Sequence, residues 1–214
     1  KHARRVWGSV EGERFWYRLR GYEIPEQETK TSLVGHSRVL DPELRTPEAA
    51  YQVVRRLTIK AATRLRRKEF FATGFVFAIR FQSGMRWAQD VRLSPAQDNF
   101  TFLKALEGLY MEMADEVMTG RAYQQTRDRP FKVSVSLHGL CRREEITPDL
   151  FDQSSAAYQD LQHKNAALSK VMDDLNGKYG AETLRLGVTP QTRAGYVGTK
   201  IAFSRVPDMA EFSE

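Results

Sequence analysis

A single cysteine, Cys141, in 214 residues excludes an intrachain disulfide and points to a reducing, cytoplasmic setting. No apolar run approaches the roughly 20 residues of a membrane helix, which leaves the membrane out as a partner. Only four histidines are present, His2, His36, His138 and His163, and no spacing among them and the cysteine suits zinc. There is no glycine-rich phosphate loop and no Ser/His/Asp constellation, so neither nucleotide hydrolysis nor acyl transfer finds its usual residues. The acidic pairs Glu144-Glu145 and Asp173-Asp174 are poor metal sites, because adjacent carboxylates on a helix diverge; both are expected on the solvated surface. The N-terminus has no signal-peptide core. It opens on Lys1-His2-Ala3-Arg4-Arg5, without a methionine and already inside a helical pattern, which reads as a cut within a longer protein.

What is present is a foldable and basic chain. Hydrophobic residues make up 41% and aromatics 11%, enough for a real core. The net charge is +6, which favours an anionic partner. That charge is uneven. Residues 31–140 hold seventeen Lys/Arg against eleven Asp/Glu, residues 1–30 seven against five, and residues 141–214 nine against eleven. The excess therefore lies in the middle of the chain, which favours nucleic acid over a membrane surface or an acidic small molecule.

Residues 4–20 carry Val6, Trp7, Val10, Phe15, Trp16 and Leu19 at helical spacing and stop at Gly21. A polar, proline-containing stretch follows. The pattern then becomes short strands and long helices. Thr31–Leu40 is a strand candidate, and Thr46-Pro47-Glu48 opens a helix to about Glu69 with an N-cap and a first-position proline. Phe71–Gln82 and Met85–Leu93 are strands joined by the tight Ser83-Gly84 turn. Asp98 or Asn99 caps a second helix to about Met118, and Phe131–Leu140 is the last strand. The order β-α-β-β-α-β is the split-βαβ, ferredoxin-like arrangement of the α+β class: four strands, two helices on one face and the other face open.

Alternation along the strands says what the open face carries. Phe75, Phe77, Ile79 and Phe81 point one way, as do Trp87, Val91 and Leu93, and Phe131, Val133, Val135 and Leu137. Between them stand Arg80, Arg86, Arg92, Lys132, Ser134, Ser136 and His138. In the first strand Leu33 and Val39 are expected to point in, with Ser32, His36 and Arg38 pointing out. A merely solvated face would mix signs, whereas here Asp90 is the one carboxylate. Ser32, His36, Arg38, Arg80, Arg86, Arg92, Lys132, Ser134 and Ser136 are therefore the candidate contacts to a phosphate backbone.

These residues resemble a known family. Thr31-Ser32-Leu33-Val34-Gly35-His36-Ser37-Arg38-Val39-Leu40 is similar to the Lys-Ser-Ile-Gly-type strand that opens the little-finger domain of Y-family translesion DNA polymerases (the DinB/UmuC, ImpB/MucB/SamB class), with one extra residue between Ser32 and Gly35. Ala61-Ala62-Thr63-Arg64-Leu65-Arg66-Arg67 resembles the end of that domain's first helix, and Phe131-Lys132-Val133-Ser134-Val135-Ser136-Leu137 its closing strand. Residues 4–22 look like the last thumb helix. The resemblance implies an end of thumb at 1–22, a linker at 23–30, a little finger at 31–140, a second linker at 141–152 and a C-terminal helix with short strands at 153–214. It implies a sheet laid against primer–template DNA. It also implies a parent that joins deoxynucleotides with Mg2+, whose metal-binding carboxylates and Ser-x-Asp-Glu motif have no counterpart here; no catalytic residue and no cofactor is assigned to this chain, which is expected to be inactive alone.

Beyond residue 140, Asp149-Leu150-Phe151 resembles the end of the Gln-Leu-x-Leu-Phe peptide with which such polymerases bind the sliding clamp, although Thr147 and Pro148 replace the glutamine and first leucine. Leu150 and Phe151 are the candidate clamp anchors, unless they dock on the protein's own core. Gln153–Tyr179 reads as a helix. Asn176-Gly177-Lys178-Tyr179-Gly180 and the segments Thr183–Val188 and Thr199–Arg205 are similar to the tail of UmuC-like relatives, where a short basic strand follows. Two other readings stand beside a polymerase fragment. One is a clamp-bound homologue that has lost catalysis and serves as an adaptor. The other is a free-standing RNA-binding module, in which sheet aromatics stack bases.

Overall fold

The computed structural model describes residues 2–25, 31–120, 123, 128–146, 156–180 and 183–187. The chain divides into two units, residues 1–31 and 32–214. In the first, the helix expected over residues 4–20 is two helices, α1 (His2–Trp7) and α2 (Val10–Leu19). Gly8 separates them at φ +63°, a left-handed conformation that side-chain-bearing residues disfavour. The chain reverses there and stacks Trp7 on Phe15, ring centroids 4.8 Å apart.

The second unit contains β1 (Leu33–Val39), α3 (Pro47–Arg67), β2 (Phe71–Phe81), β3 (Arg86–Ala96), α4 (Asn99–Met113), β4 (Pro130–Cys141) and α5 (Ala156–Tyr179). The β-α-β-β-α-β order is the one read from the sequence, with ends moved by a few residues. The sheet runs β1-β4-β2-β3 and every neighbouring pair is antiparallel. Helix α3 buries Ala50, Val53, Val54, Leu57, Ala61, Ala62 and Leu65, a stripe three and four residues apart, and its alanines let the backbone lie close to the sheet. Thr46 caps its start by accepting from the Ala49 amide at 3.2 Å. Asp98, not Asn99, caps α4, accepting from the Thr101 amide at 2.8 Å. Phe102, Leu106, Leu109 and Met113 of α4 meet Phe75, Phe77, Ile79 and Phe81 of β2 and Val133, Val135 and Leu137 of β4 in one core. The Tyr110 hydroxyl donates to the Pro47 carbonyl at 2.7 Å; burial pushes its pKa up, so it remains a donor.

Strand β1 corrects the expected register. Val34 is buried, and so is Leu40 just past the strand, while Leu33 and Val39 are exposed. Val34, His36 and Arg38 pair with Leu137, Val135 and Val133, the inward residues of β4. Both parities of this segment offer an apolar pair, and the core takes the one whose second member, Leu40, closes the end of the sheet beside Phe131 through a 2.8 Å backbone bond.

Helix α5 packs back on the domain. Ser169 and Met172 are buried, and the Ser169 hydroxyl accepts from the Asn99 amide at 3.0 Å. Asp173, expected in solvent, instead accepts from Arg66 Nε at 2.6 Å, from Arg66 Nη2 at 2.9 Å and from Thr63 at 2.8 Å. Arg66 also donates to the Gln97 carbonyl and to Asn99 Oδ1. Its guanidinium thus joins α3, the start of α4 and α5, and Asp173 is a structural residue. Residues 183–187 form bends rather than the expected strand, fastened by Asn176, whose side chain exchanges hydrogen bonds with the Leu184 backbone at 2.8 and 3.1 Å. Thr199–Arg205 lies outside the described residues.

Removing one partner of a largely buried ion pair leaves the other uncompensated. Asp173→Ala should therefore loosen α5 by about 3 kcal/mol, read as faster amide hydrogen exchange across 156–179 while β2 and β4 stay protected. Phe77→Ala should instead lower global stability by roughly 3–5 kcal/mol in denaturant titration, the usual cost of emptying a buried aromatic site.

Candidate nucleic-acid interface

The pairing register sets the open face out in four cross-strand rows, in the order β1, β4, β2, β3. The first is Val39, Lys132, Arg80 and Arg86; the second Ser37, Ser134, Ala78 and Ala88; the third Gly35, Ser136, Val76 and Asp90; the fourth Leu33, His138, Gly74 and Arg92. Arg80, Arg86, Arg92, Lys132, Ser134 and Ser136 thus stand where the sequence puts them. His36 and Arg38 do not: the β1 register turns them to the helix side, where Arg38 pairs with Asp41 at 2.7 Å. Ser32 precedes the strand and is exposed. Strand β1 accordingly gives the open face Leu33, Gly35, Ser37 and Val39, and no cation.

Lys132, Arg80 and Arg86 are directly paired across three neighbouring strands, and all three are exposed. None forms an ion pair among the described residues. Like charges on directly opposed residues repel. A bound anion relieves that repulsion. Successive rows are two residues apart, so the first row and Arg92 in the fourth are separated by roughly 20 Å. Between them the side chains are short. Gly35 lets β1 and β4 approach closely: a Cβ there would lie 2.8 Å from Ser136 Oγ. Ser134 Oγ lies 3.5 Å from the Ala78 carbonyl oxygen, leaving the hydroxyl close to the sheet. The face carries a cationic row at one end and a single arginine at the other.

His138, on this face as its parity requires, has a partner that strand alternation alone does not show. Its Nε2 lies 2.8 Å from Asp90 Oδ1, reaching over Gly74 on the intervening strand. The contact needs the strand registers: they set a histidine, a glycine and a carboxylate on three adjacent strands at neighbouring rows. The helical layer carries cations too. Helix α3 holds Arg55, Arg56, Lys60, Arg64, Arg66 and Arg67 against Glu48, so only part of the central charge belongs to the sheet. Burial and the charge of Glu145 push the Cys141 thiol up, away from the reactive thiolate. Among the described residues no group of three His, Cys, Asp or Glu could hold a metal ion, and no helix is long and apolar enough to cross a membrane. Leu150 and Phe151 lie outside the described residues.

Fold and surface together define an α+β domain with one helix-covered face and one face bearing cations. The chain belongs to the impB/mucB/samB family: residues 32–150 match the model of that family's C-terminal domain. Among solved structures it is similar to a chimera of the Y-family DNA polymerases Dbh and Dpo4, at 10% identity and a TM-score of 0.43, over 66% of this chain and 38% of that one. An insertion ternary complex of Dbh DNA polymerase is similar at 10% identity and a TM-score of 0.42, over the same shares. A complex of the beta-clamp processivity factor with the little finger domain of PolIV matches at 14% identity and a TM-score of 0.39, over 56% of this chain and 98% of that one. The chain thus spans well under half the length of the Dbh polymerases. No curated protein matches it.

The cationic row makes a prediction that needs no ligand. Arg80→Ala should leave the melting temperature unchanged or raise it at low salt, by up to about 1 kcal/mol of relieved repulsion, and the gain should vanish in 0.5 M salt. Thermal melts at the two salt concentrations, wild type beside variant, decide it.

Proposed function

We propose that this domain grips primer–template DNA through its open sheet face, as the C-terminal part of an error-prone translesion DNA polymerase. The observation that carries the reading is the row Lys132, Arg80 and Arg86, three exposed cations on paired positions of a face that no helix covers. Family membership supports the polymerase parent. In this reading nucleotide transfer and its Mg2+ belong to the upstream part, and the present chain positions the substrate. Short side chains between the two charged ends let the sheet come close to a duplex backbone, and charge contacts of this kind fix position without reading sequence. An adaptor that has lost catalysis would use the same face; primer extension by the full-length protein separates the two. Against the RNA-module reading, the open-face rows hold no Phe, Tyr or Trp on which bases could stack.

The experiment is a salt titration of duplex affinity with the 214-residue chain. With about four phosphates neutralised, log K should fall against log salt with a slope of roughly −3.5 to −4. Arg86→Ala should reduce the slope by about 1 and weaken binding about equally for unrelated sequences. An affinity indifferent to salt, or a strong preference for one sequence, would overturn the reading.

The sliding clamp is the second partner in this reading. Asp149-Leu150-Phe151 lies in the segment between Ile146 and α5, and a Leu-Phe pair is the kind of anchor that fills an apolar pocket. Changing both residues to alanine should cost at least about 2 kcal/mol of clamp affinity and leave DNA binding unchanged. Equal clamp binding by wild type and double variant would remove the clamp from the proposal.

A further inference from the structure

Asp90 is the one carboxylate in the four described rows of the open face, and a carboxylate there opposes a polyanion. Two features of the sheet answer it. His138 lies on β4 and Asp90 on β3, with β2 between them, yet the imidazole reaches across and brings Nε2 to 2.8 Å from Asp90 Oδ1. The passage exists because residue 74 is glycine: a Cβ built there would lie 2.2 Å from the ring's Cε1 and 2.3 Å from Nε2. The residues facing the imidazole are Leu33 and Gly35 from β1, Ser136 from its own strand, Gly74 and Val76 from β2, and Asp90 and Arg92 from β3. Asp90 and Arg92 are therefore the charged groups around it. Lys132, Arg80 and Arg86 stand at the other end of the face.

We propose that His138 is the proton-carrying counter-charge of Asp90, and that the domain takes up a proton at this pair when its sheet closes on a nucleic-acid backbone. The inference rests on the DNA-gripping reading above. With a neutral imidazole donating from Nε2, the pair carries the full negative charge of Asp90. With an imidazolium it carries none. Histidine is the side chain whose charge changes between about pH 5 and 8, and phosphates brought close favour the charged form. The complex then binds more protons than the free chain, so affinity rises as pH falls through the histidine range, by the same linkage that ties stability to pH. Gly74 is the positioning residue of the pair, since any side chain there occupies the place of the ring.

Calorimetric titration of the 214-residue chain with a short duplex, in two buffers of different ionisation heat at pH 6.5 and fixed salt, counts the protons directly. Wild type should take up a measurable fraction of a proton per complex and bind more tightly at pH 5.5 than at pH 8. His138→Gln still donates to Asp90 but carries no proton; it should lose the uptake and flatten the pH profile. Asp90→Asn should bind several-fold more tightly than wild type at pH 8, where the charge it removes is uncompensated. Gly74→Ala, checked for fold by circular dichroism, should lose most of the uptake. Unchanged uptake in His138→Gln, or no gain for Asp90→Asn at pH 8, overturns the assignment. The double variant Arg80→Ala/Arg86→Ala tells this failure from that of the DNA reading. If it loses affinity at every pH while wild type shows no uptake, only the pair is wrong; if it binds as wild type does, the sheet face is not the binding surface and both fall.

Discussion

The two central strands cannot send an aromatic ring and a cation to the same side, and the rest of the domain follows from that constraint. Phe75, Phe77, Ile79 and Phe81 on β2 and Val133, Val135 and Leu137 on β4 lie against the helices, each nearly or fully excluded from water. Buried side chains of this size contribute about 1.5–3 kcal/mol apiece, so a one-residue slip of either strand would expose several of them together. The slip is forbidden by the core. Arg80 and Lys132, at the opposite parity, are held on the open face by the same restriction, and β3 places Arg86 beside them through its pairing with β2. The charged surface is thus as firmly registered as the hydrophobic one. It is set by packing that lies entirely on the other side of the sheet.

That constraint also explains which parts of the molecule could be read from the sequence. Strand β4 alternates apolar and polar, and the large side chains of β2 stand at every second position from Phe75 to Phe81, so the faces of these strands and of β3, hairpinned to β2, were legible, and with them the open-face placement of six of the nine candidate residues. Strand β1 was not, because it offers two apolar pairs of opposite parity: Leu33 with Val39, and Val34 with Leu40. As an edge strand it has one neighbour to arbitrate, and the answer depends on how Leu40 closes the sheet, which no local pattern contains. His36 and Arg38 were misplaced for that reason alone. The break at Gly8 was passed over because apolar spacing continues across it, while the backbone reverses at a residue able to adopt positive φ. The partnership of His138 with Asp90 is a relation among three strands, visible only once their registers are known.

Helix α5 shows a different limit. Its periodicity announces a helix but not its partner, and Asp173 beside Asp174 looks like ordinary surface charge. The partner is Arg66, 107 residues earlier, whose five N–H groups can serve several acceptors at once. Here they reach Asp173, Asn99, Thr63 and the Gln97 carbonyl. One guanidinium thereby fastens the end of α3 to the start of α4 and both to α5. The family match ends at residue 150, yet the packed unit extends to α5. The same contacts give the chain leaving β4 a second fixed point on the domain.

The pairing of β1 with β4 has a mechanical side. Leu33 lies opposite His138, so the chain enters the sheet and leaves it side by side, at the end of the face away from Arg80 and Arg86. Tension applied between residue 32 and the end of β4 would load the ladder one rung at a time, as a zipper is opened, rather than shearing all its hydrogen bonds together. Strand β1 contributes Val34 as its one buried residue within the strand, so little core resists the peeling. Under load the sheet would lose its first strand before the cationic row on β4, β2 and β3 was disturbed. The cationic row would outlast the strand that opens the domain.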